Sequence, residues 1–249
     1  MNLVYSTKML FFIFSCSFKL GTSETYYITS SPCSSTAVEQ PCFTLTEFAA
    51  KAFNYSNTGG ITVTMIFMPG NHYLHSRLNF TYFAEVSLLS ESSDTVNITC
   101  QESASVLLQH IGQVHMENLS FIGCGGNDIY FVVQVIIRNT VFTNKGKGNS
   151  SSALTLMWCS TAHILYSSFI FNSGGTFVHP KINEDNWKVG GAIMIVQSDV
   201  YINVSRFEHN RAEPFLPNSA ATFSLLPLPL QRMMAITEAY FPFIYTAKS

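Results

Sequence analysis

The chain has 249 residues, a net charge of −2 and only 11% charged residues. Such a weak net charge does not suggest the basic surface that binding to nucleic acid or to an anionic membrane requires. The 21 phenylalanines and the many Ser, Thr and Asn residues are instead typical of an extracellular all-β protein. Beyond the N-terminus no apolar run of about 18 residues predicts a membrane span.

The N-terminus has the pattern of a secretory signal peptide. Lys8 provides a positive start, and residues 9–18 (MLFFIFSCSF) form an apolar run that is too short to span a bilayer. Small residues just before Glu24 favour cleavage there. The alternative interpretation is a buried first helix. We expect a signal peptide over residues 1–23 and therefore a secreted protein.

The next segment is predicted to close one end of the fold. Cys33 and Cys42 bracket a short loop and predict a local disulfide. Thr44 and Glu47 have the spacing of a helix capping box, and apolar residues follow at helical spacing. We therefore expect an amphipathic helix at about 45–55 that covers the open end of a repeat structure.

A pattern recurs four times in the middle of the chain. One apolar or small residue stands seven positions before a phenylalanine, a second stands five before it, and the phenylalanines are 21, 27 and 38 residues apart. We call these phenylalanines the markers of the repeat. Another apolar pair precedes each marker, so every repeat carries about three short strands. This pattern predicts a β-solenoid whose turns, here called coils, stack to bury one core. The four instances are Val114/Met116/Phe121, Val135/Ile137/Phe142, Ala162/Ile164/Phe169 and Val200/Ile202/Phe207.

Stacked coils place equivalent residues above one another, about 4.8 Å apart. The marker phenylalanines should therefore form an aromatic column inside. Asn118 and Asn139 share the column three positions before the marker, where the chain must turn, and asparagine tolerates left-handed backbone there and can form amide ladders. This structural role argues against a glycan on Asn118. The remaining Asn-x-Ser/Thr triplets predict glycosylation at Asn54, Asn149, Asn79, Asn97 and Asn203.

Cys100 and Cys124 are separated by about one coil length, so stacking predicts a disulfide between them. Cys159 is then left over. It is either buried and inert, or it replaces Cys100 as the partner of Cys124. These cysteines are compatible with an oxidising compartment.

Short motifs near the end of the repeats carry a resemblance. Residues 169–172 (FIFN) and 207–210 (FEHN) match F-x-x-N, and residues 190–193 (GGAI) match the glycine-rich motif that accompanies it. Over residues 25–213 the chain resembles right-handed parallel β-helix proteins of the pectin-lyase type, including the chlamydial polymorphic outer-membrane proteins. It is most similar to secreted β-helix proteins of simple animals. The resemblance implies the fold and says almost nothing of activity.

The pectin-lyase type often acts on acidic polysaccharides, and such enzymes need clustered carboxylates or a pair of them across a cleft. In the four aligned repeats Glu117, Asp199 and Glu208 fall in three different columns, which argues against this chemistry. Glu117 shares its column with Arg138, a pair we interpret as a solvated ion pair worth less than about 1 kcal/mol.

Two histidines also share a column. His115 and His163 are separated by Ile136, so two coil rises place them about 9–10 Å apart, too far to bind one zinc ion. We interpret both as surface histidines and predict no metal site.

The best candidate for recognition is a long loop, residues 174–191. It concentrates charge in a chain that is otherwise poor in it, and extended solenoid loops often carry binding function. The alternative is a tolerated insertion whose tryptophan packs back on the coil. The candidate binding residues are Trp187, Lys188, Lys181, Asp185 and His179.

Together these patterns predict an all-β protein, a right-handed parallel β-helix with an N-terminal amphipathic capping helix. We expect a secreted, glycosylated scaffold or recognition module of the cell surface or matrix, with glycans or extracellular proteins as partners, no cofactor and no catalysis. The alternative is a polysaccharide lyase or glycoside hydrolase. The predicted segments are 1–23 signal peptide, 24–60 N-terminal cap with the Cys33–Cys42 loop and the helix, 61–213 parallel β-helix, and 214–249 an irregular or truncated C-terminal segment.

Overall fold

The structure is a computed structural model, and it describes residues 22–32, 41–52, 60–92, 95–101, 104–143, 152–173, 176–178, 186–188, 191–210 and 246–247. The predicted signal peptide, apart from its last two residues, lies outside this set. So do the predicted glycosylation sites Asn54 and Asn149.

The described residues contain one helix and a series of short strands. The helix is α1 (Leu45–Ala52). The strands are β1 (Ser23–Thr29), β2 (Cys42–Thr44), β3 (Thr62–Phe67), β4 (Asn71–Leu74), β5 (Leu78–Thr81), β6 (Glu85–Ser90), β7 (Val96–Cys100), β8 (Val106–Gln109), β9 (Gln113–Glu117), β10 (Leu119–Ile122), β11 (Asn127–Tyr130), β12 (Gln134–Arg138), β13 (Val141–Thr143), β14 (Leu154–Met157), β15 (Thr161–Leu165), β16 (Ser168–Ile170), β17 (Thr176–Val178), β18 (Asn186–Lys188), β19 (Ile193–Val196), β20 (Val200–Asn203), β21 (Arg206–Glu208) and β22 (Thr246–Ala247).

Three parallel sheets hold nearly all of these strands. Sheet A has the order β2-β1-β3-β6-β9-β12-β15-β20, sheet B β4-β7-β10-β13-β16-β21, and sheet C β5-β8-β11-β14-β19-β22. From β3 onward the chain visits sheets A, B and C in that order six times, and we number these passes as coils 1 to 6. This all-β arrangement is compatible with a β-solenoid.

The predicted aromatic column is confirmed. Phe121, Phe142, Phe169 and Phe207 pair in register along sheet B. Their rings stack with centroid separations of 5.4, 4.9 and 5.0 Å. The column continues a single core, because the inward residues of all three sheets belong to one buried cluster.

Each coil turns sharply at its corners. Between sheets A and B the predicted left-handed residues are confirmed, with φ of 56° at Asn118 and 47° at Asn139. The amide ladder, however, lies elsewhere: Asn210 Oδ1 accepts hydrogen bonds from the backbone N–H and the side-chain amide of Asn172, at 3.1 and 2.9 Å. These are the asparagines of the F-x-x-N motif, and Asn172 is fully buried.

Helix α1 begins with the predicted capping box. The backbone N–H of Thr44 donates to Glu47 Oε2 at 2.9 Å, and that of Glu47 donates to Thr44 Oγ1 at 3.3 Å. Hydrogen bonding from the Thr44 backbone lowers the pKa of the Glu47 carboxyl. The apolar side of the helix is buried, and the Phe48 ring lies 6.1 Å from that of Phe80 at the start of sheet C.

One disulfide joins neighbouring coils. Cys100, at the end of β7, is bonded to Cys124, just after β10, with the two Cα atoms 4.7 Å apart. The predicted pairing is confirmed, and Cys159 is a free, buried thiol. Cys42 is also disulfide-bonded, and its predicted partner Cys33 lies outside the described residues.

Candidate functional site

The connections between strands differ strongly from corner to corner. The turn from sheet C to the next sheet A, the C–A corner, has three residues in every coil: 82–84, 110–112, 131–133, 158–160 and 197–199. The connection from sheet B to sheet C, the B–C corner, is short in coils 1 to 3 and lengthens from coil 4 onward: it spans residues 75–77, 101–105, 123–126, 144–153, 171–192 and 209–245. Long insertions that leave a solenoid at one corner commonly form its binding face. The B–C corner of coils 4 to 6 is therefore the candidate functional site.

The predicted recognition loop is the insertion of coil 5. Within it β17 and β18 form an antiparallel hairpin, in which Trp187 pairs with Phe177 and Lys188 with Thr176. This places the backbone of two predicted binding residues in a hairpin within the B–C connection of coil 5. The other three, His179, Lys181 and Asp185, lie outside the described residues, so their role stays a prediction.

Beside this corner the outer face of sheet C changes character. In β8 the outward residues Leu107 and Gln109 are half-exposed, as expected of a sheet with one solvated face. In β14 and β19 every residue is buried, and Met157, Met194 and Val196 form a second apolar cluster outside the main core. The outer face of sheet C is therefore apolar and buried in β14 and β19, the strands that follow the insertions of coils 4 and 5.

A carboxyl group lies at the boundary between these two zones. Asp128 of β11 is next to Thr155 of β14 in the register of sheet C. Burial raises the pKa of the Asp128 carboxyl, and interactions with Thr155, Tyr130 and the charge of Arg77 only partly offset this. Burial and the neighbouring Asp128 also raise the pKa of the Tyr130 phenol.

Asp128 and Thr155 are neighbours in the register but make no hydrogen bond to each other. Asp128 Oδ1 and Thr155 Oγ1 are both buried atoms without a hydrogen-bond partner. Many general acids are carboxyl groups whose pKa is raised by burial, so that they keep their proton at a higher pH. Sequence analysis found no signal for it, because Asp128 lies in sheet C, outside the aligned marker repeats.

On the outer face of sheet A the predicted columns are present. Ile136 separates His115 from His163 in the register, as predicted. His115 Nε2 lies 3.1 Å from Glu117 Oε2, and Arg138 Nη1 lies 3.7 Å from Glu117 Oε1. Arg138 is nearly half exposed, so this pair contributes little to stability.

The C–A corner carries an aromatic ladder that sequence analysis did not find. The rings of Tyr82, His110, Phe131 and Trp158 stack outside the core with centroid separations of 4.9, 4.8 and 4.7 Å. All four residues have positive φ. Each ring covers the face of the next, so the ladder offers mainly ring edges to solvent. Its inner members thus lack the open faces on which a sugar ring would stack.

The described residues hold no group of three or more His, Cys, Asp or Glu side chains that could bind a metal ion. Within the same residues, no helix has the length and apolar character to cross a membrane. No protein-family model, curated protein or solved structure matches the chain.

Proposed function

We propose that the protein is a secreted, glycosylated right-handed parallel β-helix that serves as a structural or recognition module outside the cell. In this proposal α1 caps the first coil, and the B–C insertions of coils 4 to 6 form the recognition surface. The observation that carries it is the unbroken parallel register of six coils, with long insertions confined to one corner. Such an arrangement is a stiff support for loops on a single face.

Two further observations support the extracellular setting. The Cys100–Cys124 disulfide is of a kind that persists in oxidising compartments. The N-terminal segment has the charge and apolar run of a signal peptide.

The recognition hypothesis is tested with the full chain expressed in a secreting eukaryotic cell and applied to a broad glycan array, with and without calcium. We expect binding that Trp187→Ala and Lys188→Ala abolish. Phe131→Ala, at the C–A corner, is the matched control and should leave binding unchanged. A secreted, folded protein that binds no glycan, or that loses binding equally in all three variants, would contradict the assignment of the loop.

A second candidate function is favoured by one observation. The Asp128 carboxyl, whose Oδ1 atom is buried and whose pKa is raised, has with the adjacent Tyr130 the environment of a general acid in a carbohydrate-active enzyme, either a polysaccharide lyase or a glycoside hydrolase. Turnover of an array polysaccharide that Asp128→Asn reduces by about 100-fold or more would establish this function. Turnover unaffected by Asp128→Asn would exclude Asp128 as the acid.

A further inference from the structure

The Asn-x-Ser/Thr triplets in the described residues differ in the hydrogen bonds that their asparagine side chains make in the fold. Asn97 donates its side-chain amide to Asn71 Oδ1 at 3.2 Å. Asn79 Oδ1 accepts the Thr81 hydroxyl of its own triplet at 3.2 Å, and Gln109 donates to that same hydroxyl. Asn203, in contrast, is exposed on the outer face of β20, and no hydrogen bond from the described residues occupies its amide.

Asn203 is surrounded by apolar surface. Tyr201, two residues earlier on the same face of β20, is 59% exposed, and Val204 is 67% exposed. One face of the Tyr201 ring stacks on His163 of coil 5, with the centroids 5.2 Å apart. The other face points away from coil 5, and β20 is the last strand of sheet A in the described residues. Two large apolar side chains close to Asn203 in the sequence are therefore exposed at this end of sheet A.

We propose that Asn203 carries an N-linked glycan whose first sugar packs on Tyr201 and covers the exposed end of sheet A. This inference rests on the proposed secretion of the chain. Transfer forms a bond between Asn203 Nδ2 and C1 of the first sugar. It breaks the bond from that C1 to a lipid-diphosphate oligosaccharide donor and releases one amide proton, so the lipid diphosphate is the leaving group.

The spacing of the two side chains fits this contact. Residues i and i+2 on one face of a strand are about 6–7 Å apart. A sugar ring attached to Asn203 therefore reaches the Tyr201 ring, whose apolar face suits the C–H face of a pyranose. The sugar occupies the outer side of the strand, so the core residues Val200 and Ile202 stay undisturbed.

The hydrogen bonds of Ser205, the serine of this triplet, indicate when the glycan must be transferred to Asn203. In the fold the Ser205 hydroxyl donates to the Asn203 carbonyl at 3.0 Å and accepts from the backbone N–H of Ser167 at 3.2 Å. The folded coil thus already uses the hydroxyl that the triplet supplies for recognition. Glycan transfer to Asn203 therefore precedes the docking of coil 6 onto coil 5.

The test begins with the full chain secreted from eukaryotic cells and with mass spectrometry of its glycopeptides. We expect Asn203 to be occupied and Asn203→Gln to remove one glycan. A double-mutant cycle then compares the wild type, Asn203→Gln, Tyr201→Ala and the double variant in thermal unfolding. Loss of the glycan should lower the midpoint by about 2–4 °C when Tyr201 is present, the shift that roughly 1 kcal/mol gives in a chain of this size. It should lower the midpoint much less when Tyr201 is alanine.

The outcomes separate this inference from the proposed function. A secreted protein that carries glycans elsewhere but none on Asn203 overturns the inference and leaves the proposed function standing. An occupied Asn203 whose removal has the same effect with and without Tyr201 overturns the packing contact. A chain that is neither secreted nor glycosylated overturns both. The same four proteins made without glycosylation should show no dependence of the Asn203→Gln effect on Tyr201.

Discussion

The C–A corner and the B–C corner join strands of the same coils, yet their lengths differ. Each described C–A turn has three residues, whereas the longest B–C connection spans residues 209–245. The difference has a physical cause. At the C–A corner of coil 2 the backbones of neighbouring coils approach closely: a Cβ atom on Gly112 would lie 2.5 Å from the Ala84 carbonyl oxygen, which also accepts the Gln113 N–H at 2.9 Å. An extra residue has no space there. The B–C corner shows that coil stacking does not depend on the length of every turn.

Paired insertions give the largest expected effect. One glycine inserted between Ile111 and Gly112 would shift β9 by one residue and reverse its inward and outward faces, so we expect loss of folding and of secretion. The same glycine inserted between Gly146 and Lys147, in the B–C corner of coil 4, should cost less than about 0.6 kcal/mol, since loop entropy changes slowly with length. Urea unfolding and secreted yield measure both. Equal tolerance at the two corners would refute the comparison.

The interior column is what holds coils in register across the long insertions. Phe169 is fully buried and stacks on Phe142 and Phe207, the latter across the coil-5 insertion. We expect Phe169→Ala to reduce the free energy of unfolding by about 3–5 kcal/mol. Phe171→Ala, which removes an exposed ring stacked on His209, is the control and should cost about 1 kcal/mol. Similar losses for the two variants would show that the column has no special role.

The smallest effect concerns Asp128, at the boundary of the covered zone of sheet C. Its folded pKa is raised above the unfolded value of 3.8, so the folded state binds more protons between these two pKa values and stability falls as pH rises through that window. Asp128→Asn should therefore stabilise the protein at neutral pH, because it removes the charge that burial disfavours. The gain should vanish below the unfolded pKa. Denaturant unfolding at several pH values measures it, with the exposed Asp199→Asn as a control that should show no such gain.

The sequence predicted those parts of the fold in which a residue type repeats. Phe121 and Phe142 identified the interior column, and Asn118 and Asn139 identified the left-handed turn, because one residue type solves the same problem in successive coils. The spacing of Cys100 and Cys124 predicted their bond for the same reason, since stacking alone brings them together.

The aromatic ladder was missed because its members are chemically different. His110, Phe131 and Trp158 each stand eleven residues before a marker phenylalanine, which is the signal that could have revealed the ladder. Bulky residues are uncommon at positive φ, so propensity argued against a turn at these positions. The burial of Thr155 and of the Asp128 Oδ1 atom could not be predicted from the sequence for another reason. It depends on packing over the outer face of sheet C, which the alternation within one strand does not encode.

The bond between Cys100 and Cys124 has a consequence for how the stack opens. In a linear array each coil is stabilised mainly by its two neighbours, so terminal coils open more readily than internal ones. The bond fixes coil 2 to coil 3 even when their hydrogen bonds break, which favours their reclosure. Amide hydrogen exchange should accordingly be slowest around β7 and β10 and become faster toward β20 and β21. The coils would then unfold one after another from coil 6, and coils 2 and 3 would be the last to unfold and the first to refold.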